Sequence, residues 1–198
     1  MKNKELQEQR MRGYFIQATR EILKREGIKA VSVRNIAEQA GYSFATLYNY
    51  FRDINELVFH SVSDFHEECK AFVAEHTIKE PRGLKKLKAS ILAYIRYFTE
   101  YPGIFELFYL TNGGDFGNRQ QTLDVISHSL DKVCEAEWDF CVGYGRFSET
   151  EASQKRAQLR YAVIGMLTLY LNRLTPKTYT EFIREANQLI DSVLGQEE

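Results

Sequence analysis

The sequence predicts an all-helical chain, and three observations carry that prediction. Apolar residues recur three and four apart over long stretches, while the strict alternation of a half-buried strand is scarce. Only three prolines occur, Pro81, Pro102 and Pro176, each where a helix is expected to start or stop. Ser or Thr followed three residues later by Glu, at Ser148–Glu151 and Thr178–Glu181, marks helix starts that cap themselves. The expected architecture is a head of three helices in residues 1–53 followed by a larger helical body in residues 54–198.

Each element has a local reason. Met11, Phe15, Ala18 and Ile22 form one stripe of a first helix, which Gly27 ends after Glu26. A second helix fits Val33–Ala40, with Ser32 as its N-cap and Gly41 just past its end. A third fits Phe44–Phe51, capped by Ser43. Asp53 followed by Glu56 opens a long helix running to about His76. Further helices are expected near Pro81–Glu100, Pro102–Leu110, Asn118–Cys141, Glu149–Leu174 and Lys177–Leu194. The run NGGDFG, Asn112–Gly117, is the strongest loop signal, and Gly143–Phe147 is a second connection. The pattern reads as three short helices followed by five or six longer ones.

Composition narrows the function classes. A chain of 198 residues with 44% apolar residues and a net charge of -1 has the makings of a globular protein. The charge is unevenly placed: residues 1–56 hold ten Lys/Arg against seven Asp/Glu, so the remainder is acidic. A basic head on an acidic body suits a protein that must bring one end to phosphate. No apolar run approaches a membrane span, and the polar start MKNKELQEQRMR is unlike a secretory leader. Three cysteines make no disulfide framework, so the expected location is the cytoplasm. No P-loop, G-x-S-x-G, H-E-x-x-H or paired-cysteine motif is present, so neither an enzyme nor a cofactor is expected. His66 and Cys69 lie three apart, and Cys134 and Cys141 seven apart, which leaves a thiol- or metal-responsive sensor as an alternative.

The informative stretch is residues 32–52, SVRNIAEQAGYSFATLYNYFR. Val33, Ile36, Ala37 and Ala40 give the second helix an apolar inner face, and Leu47 and Phe51 do the same for the third. Gly41 stands where a sharp turn between helices needs a positive φ, and small Ala37 allows a close crossing. This is a helix-turn-helix layout, whose second member enters the major groove of DNA.

The same stretch, IAEQAGYSFATLYNYFRDINEL, resembles the DNA-binding signature of the TetR family of bacterial regulators, I-A-x-x-A-G-V-S-x-G-T-L-Y-x-Y/H-F-x-[KS]-K-x-x-L. The matching positions include Ile36, Ala37, Ala40, Gly41, Ser43, Thr46, Leu47, Tyr48, Phe51 and Leu57. With the preceding helix and its Gly27 turn, the resemblance covers roughly residues 10–60. It implies an all-helical homodimer with a variable ligand-sensing body. Repression of transcription, relieved by a small molecule, is the family's usual mode.

Roles follow position by position. The resemblance places Ser43 and Tyr48 at phosphate oxygens, with Ser32, Arg34 and Arg52 as further backbone contacts and Tyr42 either packed or touching backbone. Phe44, Ala45, Thr46 and Asn49 form the expected base-reading set, since Asn can bridge adenine and methyl groups can meet thymine. Many relatives carry Lys at the position of Phe44, Gly at Ala45 and His at Tyr50. Phe44 therefore predicts apolar contact with thymine methyls or sugars where relatives place a cation. Without that cation, a helical interaction module that does not bind DNA is a second alternative. The arm cations Lys2, Lys4, Arg10 and Arg12 are expected to be solvated on an arm partly without order.

The last two helices are apolar around most of their surface, as in the family's dimerising bundle. Leu159, Val163, Met166 and Tyr170, with Phe182, Ala186, Leu189 and Ile190, are the expected dimer interface. Ala162 and Gly165 would let helices approach closely. The middle of the chain is rich in aromatics. Tyr94, Tyr97, Phe98, Phe105, Phe108, Tyr109, Trp138 and Cys141 are the candidates to line an effector cavity, among further rings at Phe116, Phe140 and Tyr144. Arg96, Asn112 and His128 could add polar selection. The expected partners are a double-stranded DNA operator, a second copy of the chain and an apolar or aromatic small molecule.

Overall fold

A computed structural model of the chain describes residues 2–112 and 120–195, the side chains of residues 2 and 3 excepted. Among the described residues it holds eleven α-helices and no strand. They are α1 (Lys2–Glu26), α2 (Val33–Ala40), α3 (Phe44–Tyr48), α4 (Ile54–His76), α5 (Leu84–Glu100), α6 (Pro102–Phe105), α7 (Gln120–Ser127), α8 (Ser129–Val133), α9 (Glu135–Gly143), α10 (Glu149–Leu171) and α11 (Tyr179–Leu194). A 3₁₀ turn at Ile28–Ala30 follows α1, and α6 widens into a π turn over Glu106–Leu110. Phe116, Asn118, the side chain of Lys2 and most of the NGGDFG loop lie outside the described residues.

The chain divides into two compact units, residues 1–67 with 101–127, and residues 68–100 with 128–198. In the first unit α1, α2 and α3 pack around Phe15, Ala18, Ile22, Ile36, Leu47, Phe51 and Leu57. At about 1.5–3 kcal/mol for each large apolar side chain removed from water, this small core is enough to hold short helices that would not persist alone. In the second unit α5 is the central helix, touching α8, α9, α10 and α11. Its Leu87, Ile91, Tyr94 and Phe98 are buried, as are Trp138 on α9, Leu159, Val163 and Leu167 on α10, and Phe182 and Ile190 on α11. Tyr170 and Phe182 stack with ring centroids 4.2 Å apart, fixing α11 against α10.

Two helix ends differ from the sequence pattern beside a contact from elsewhere in the chain. The first helix is long, and the arm expected to lack order continues it back to Lys2. The third stops at Tyr48, three residues early. The amides of Asn49 and Tyr50 reach back only three residues, to Thr46 O and Leu47 O, and the Arg12 guanidinium takes the Tyr50 carbonyl. The start of α5 moves from Pro81 to Leu84, because Gly83 adopts φ +108° and its amide donates to the Glu137 carboxylate at 3.4 Å. The single helix expected over Asn118–Cys141 is three, broken at His128 (φ -112°, ψ 15°) and Cys134 (φ -98°, ψ 3°). Leu130, Cys134 and Trp138 are buried on both sides of and at the second break.

Candidate nucleic-acid interface

The stretch 32–52 folds through bonds that its own residues supply. Ser32 is extended and its Oγ accepts the Asn35 amide at 3.1 Å, while the Asn35 side chain donates to Ala30 O at 2.8 Å. Gly41 closes α2 in the left-handed region at φ 76°, ψ 27°, and the Tyr42 amide returns to Ala37 O at 2.9 Å. Ser43 then restarts the chain as the N-cap of α3, its Oγ accepting the Thr46 amide at 3.1 Å. The Ser43 and Thr46 hydroxyls also share a hydrogen bond of 2.9 Å. One proton is used in that pair, so one of the two hydroxyls keeps a proton for an acceptor outside the chain.

Side chains from α1, α2 and α4 brace the turn. Arg12 donates to Glu56 at 2.8 Å and lies over the Phe51 ring at 4.2 Å. It was expected to be a solvated cation of the arm, and the structure corrects this: Arg12 is an internal strut joining α1, the end of α3 and α4. Burial pushes the Glu56 carboxyl up, but the Arg12 guanidinium and the Arg52 amide outweigh it and hold the group below its ordinary range. Asp53 Oδ1 caps α4 by accepting the Glu56 amide at 2.9 Å; the return bond from Glu56 goes to the Arg52 amide, so the capping box is displaced by one residue. On the other side, Gln39 of α2 donates to Glu21 of α1 at 2.7 Å.

These braces leave one face bare. Leu47 and Phe51 are buried, as their spacing predicts, whereas Phe44 is 65% exposed and Tyr48 54%. Arg34, Ser43, Ala45, Asn49 and Arg52 are also exposed, and Ser32 and Thr46 half so. Among the described residues, no hydrogen bond or ion pair inside the chain engages the side chains of Arg34, Tyr48, Asn49 or Arg52. Tyr42 packs, the first of the two roles open to it. Its ring packs on Phe15 at 5.6 Å, and its outer side is open to solvent. Tyr50 packs half-buried on Phe15. The geometry is a short helix anchored in the core by Leu47, carrying polar and apolar side chains outward, of which those of Tyr48 and Asn49 make no hydrogen bond in the chain among the described residues.

Residues 15–60, which hold this machinery apart from Arg12, match the family model for bacterial regulatory proteins of the tetR family. Over this head the chain is similar to the tetR family. Solved TetR-like structures share its fold over nearly the whole length. One is a TetR family regulator from Marinobacter aquaeolei VT8, 18% identical with a TM-score of 0.66 and 98% of each chain covered. Another is the regulator FadR from Bacillus subtilis in complex with stearoyl-CoA, 14% identical, TM-score 0.68, covering 93% of this chain and 98% of that one. A TetR-like regulator from Syntrophomonas wolfei is 15% identical, TM-score 0.68, covering 96% and 97%. No curated protein matches the sequence.

Outside the matched head, the predicted site residues fall as follows. Tyr94, Tyr97, Phe98, Trp138 and Cys141 are buried in the second unit, where Tyr94 and Tyr97 meet Phe98 edge-on at 4.9 and 5.3 Å. Phe105 and Phe108 are buried and Tyr109 half-buried in the first unit. Tyr144 points to solvent, stacked on Phe140 at 4.3 Å. Arg96 is engaged by Glu100 at 2.6 Å beside an open cleft of about 480 Å³ that Thr99, Tyr170 and Tyr179 also line. The dimer stripe needs correction. Leu159, Val163, Phe182, Ala186 and Ile190 are sealed inside the chain's own core and have no surface to offer a partner. Met166, Tyr170 and Leu189 are half-buried, and the outer row of α10 is instead Tyr161, Gly165 and Leu169, four residues apart, with Tyr161 72% exposed. A stripe that is apolar all round hides from sequence which side its own chain will cover.

Proposed function

We propose that this chain is a TetR-family, sequence-specific transcriptional regulator, a repressor that binds a double-stranded operator as a homodimer and leaves it when a small apolar or aromatic molecule binds. The observation that carries the reading is the bare outer face of α3, where polar side chains without a partner in the chain stand on a braced and capped helix. Phe44, Ala45, Thr46 and Asn49 face base edges, with Asn49 bridging adenine and Phe44 against thymine methyls. Ser32, Arg34, Tyr42, Ser43, Tyr48 and Arg52 hold the phosphates that set the register. The functional division lies at residues 53 and 54, where the head ends and α4 begins.

Dimerisation follows from recognition arithmetic. One head makes too few contacts to select a site, and two on half-sites supply the rest. The exposed row Tyr161, Gly165 and Leu169, flanked by Met166, Tyr170 and Leu189, is the seam. The effector enters the body among the buried aromatics of α5 and α9, and the structural neighbour bound to stearoyl-CoA supports a lipophilic class. A coupling of roughly 1–3 kcal/mol between effector and DNA would lower operator affinity ~5–150-fold.

The thiol-sensor alternative is disfavoured. Cys69, Cys134 and Cys141 are buried, and burial pushes all three thiols up, away from the thiolate that metals and oxidants require. Among the described residues no group of three His, Cys, Asp or Glu is placed to hold a metal, and no helix is long and apolar enough to cross a membrane. The work is assigned to the cytoplasm by the DNA-binding reading, and no catalytic role is proposed.

Selecting bound sequences from random duplexes, followed by gel-shift titration, tests the reading. Tyr48→Phe weakens binding equally across operator variants, whereas Asn49→Ala costs about 1–3 kcal/mol and relaxes preference at one position. Unchanged affinity and preference in both variants would refute the assignment.

A further inference from the structure

We infer that Tyr14 of α1 is a further DNA-contacting residue, donating its phenol to a backbone phosphate beside the bases that α3 reads. The inference rests on the DNA-binding reading above and extends it to a helix that the helix-turn-helix pattern does not include.

Tyr14 neighbours Phe15, the centre of the head's core, but turns the other way and is 53% exposed. Its ring stacks on Tyr42 with centroids 6.1 Å apart and planes 27° apart. Tyr42 in turn rests on Phe15 at 5.6 Å and immediately precedes Ser43, the cap of the reading helix. The two phenols are thus held side by side by a buried phenylalanine at the entry to α3. Neither hydroxyl has a hydrogen-bond partner in the chain among the described residues.

A merely structural tyrosine in this place has an economical alternative, since phenylalanine or leucine would cover Phe15 and Tyr42 as well. A phenol kept at the surface, aromatic body against the protein and polar tip in water, is the usual form of an interface side chain. Its chemistry selects the contact. A phenol donates one proton and carries no charge, which suits a phosphate oxygen. Two phenols abreast suit acceptors repeating along one strand rather than the edge of a single base. The stack on Tyr42 restricts the Tyr14 ring on one side, so less freedom is lost when the contact forms. Base edges are left to Phe44, Ala45, Thr46 and Asn49, and Tyr14 adds affinity without changing sequence preference.

The test is Tyr14→Phe in the full chain, titrated against the selected duplex and a panel of its single-base variants. The ring stack remains and only the hydroxyl is lost, so the thermal midpoint is expected to stay at the wild-type value. The dissociation constant rises about 3–10-fold per head, by the same factor on every duplex, as loss of one neutral hydrogen bond requires. Because the lost group is uncharged, the salt dependence keeps its slope. Wild-type affinity in Tyr14→Phe, with Asn49→Ala still losing its preference, overturns this proposal alone. A wild-type chain that binds no duplex overturns the DNA-binding reading and this proposal with it. A loss confined to one base variant also overturns it, since a base contact would then be the cause.

Discussion

Gly165 separates the stability of the single chain from the stability of a dimer, and Gly165→Ala is the perturbation that does so. The residue lies inside α10, and a methyl built on it meets nothing within 4 Å. Within one chain the substitution therefore only removes the helical penalty of glycine, a gain of about 1 kcal/mol. Across a seam that uses Gly165 for close approach, the same methyl costs about 1–3 kcal/mol in overpacking. A two-fold seam meets itself, so the cost recurs in both copies and reaches roughly 2–6 kcal/mol per dimer. That range raises the dimer dissociation constant from roughly 30-fold to above 10⁴-fold. Sedimentation equilibrium over a concentration series measures it, with Gly13→Ala as the control. Gly13 is also helical, exposed and without a neighbour within 4 Å, so it brings the same helix gain away from the seam. Gly165→Ala dimers as tight as wild type, with the expected gain in monomer stability, would refute the placement of the seam.

Three further outcomes are expected. Gly103→Ala, unlike Gly13→Ala, destabilises the chain by about 1–2 kcal/mol in thermal or urea unfolding, because its methyl would sit 2.9 Å from the Lys24 carbonyl oxygen, a backbone atom that cannot swing away. Ser43→Ala loses the α3 cap and the Thr46 partner, costing about 0.5–2 kcal/mol in stability, and its loss of DNA affinity in a gel-shift titration exceeds that of Ser32→Ala, since only Ser43 sits on the reading helix. The Glu56 carboxyl titrates below its ordinary range, so its stabilising contribution is full above the unfolded value near 4.5 and is lost as pH falls through the lower folded value. Unfolding followed across that acid range should show a shallower decline in Glu56→Gln than in wild type.

Local chemistry was legible residue by residue. Ser32, Gly41 and Ser43 act within three to five positions of themselves, so their caps and the positive φ between them could be read before any coordinates. The capping boxes at Ser148–Glu151 and Thr178–Glu181 form as their spacing predicts, for the same reason. The outward turn of Asn49 follows once Leu47 is assigned inward, because two residues on is about 200° around a helix, whereas Phe44 lies three before Leu47, on its side by period, and its exposure is set by packing.

What sequence could not decide is how distant segments share their surfaces. Arg12 reads as one more arm cation until α4 brings Glu56 against it from 44 residues away. Gly83 and Glu137 set the start of α5 across a separation of 54 residues, and no local pattern announces it. Leu159 and Tyr161 are both apolar and two positions apart, yet the first is sealed and the second open, because α5 and α11 cover only one side of α10. Periodicity tells which residues share a face. Only tertiary packing tells which face its own chain covers and which it leaves for something else.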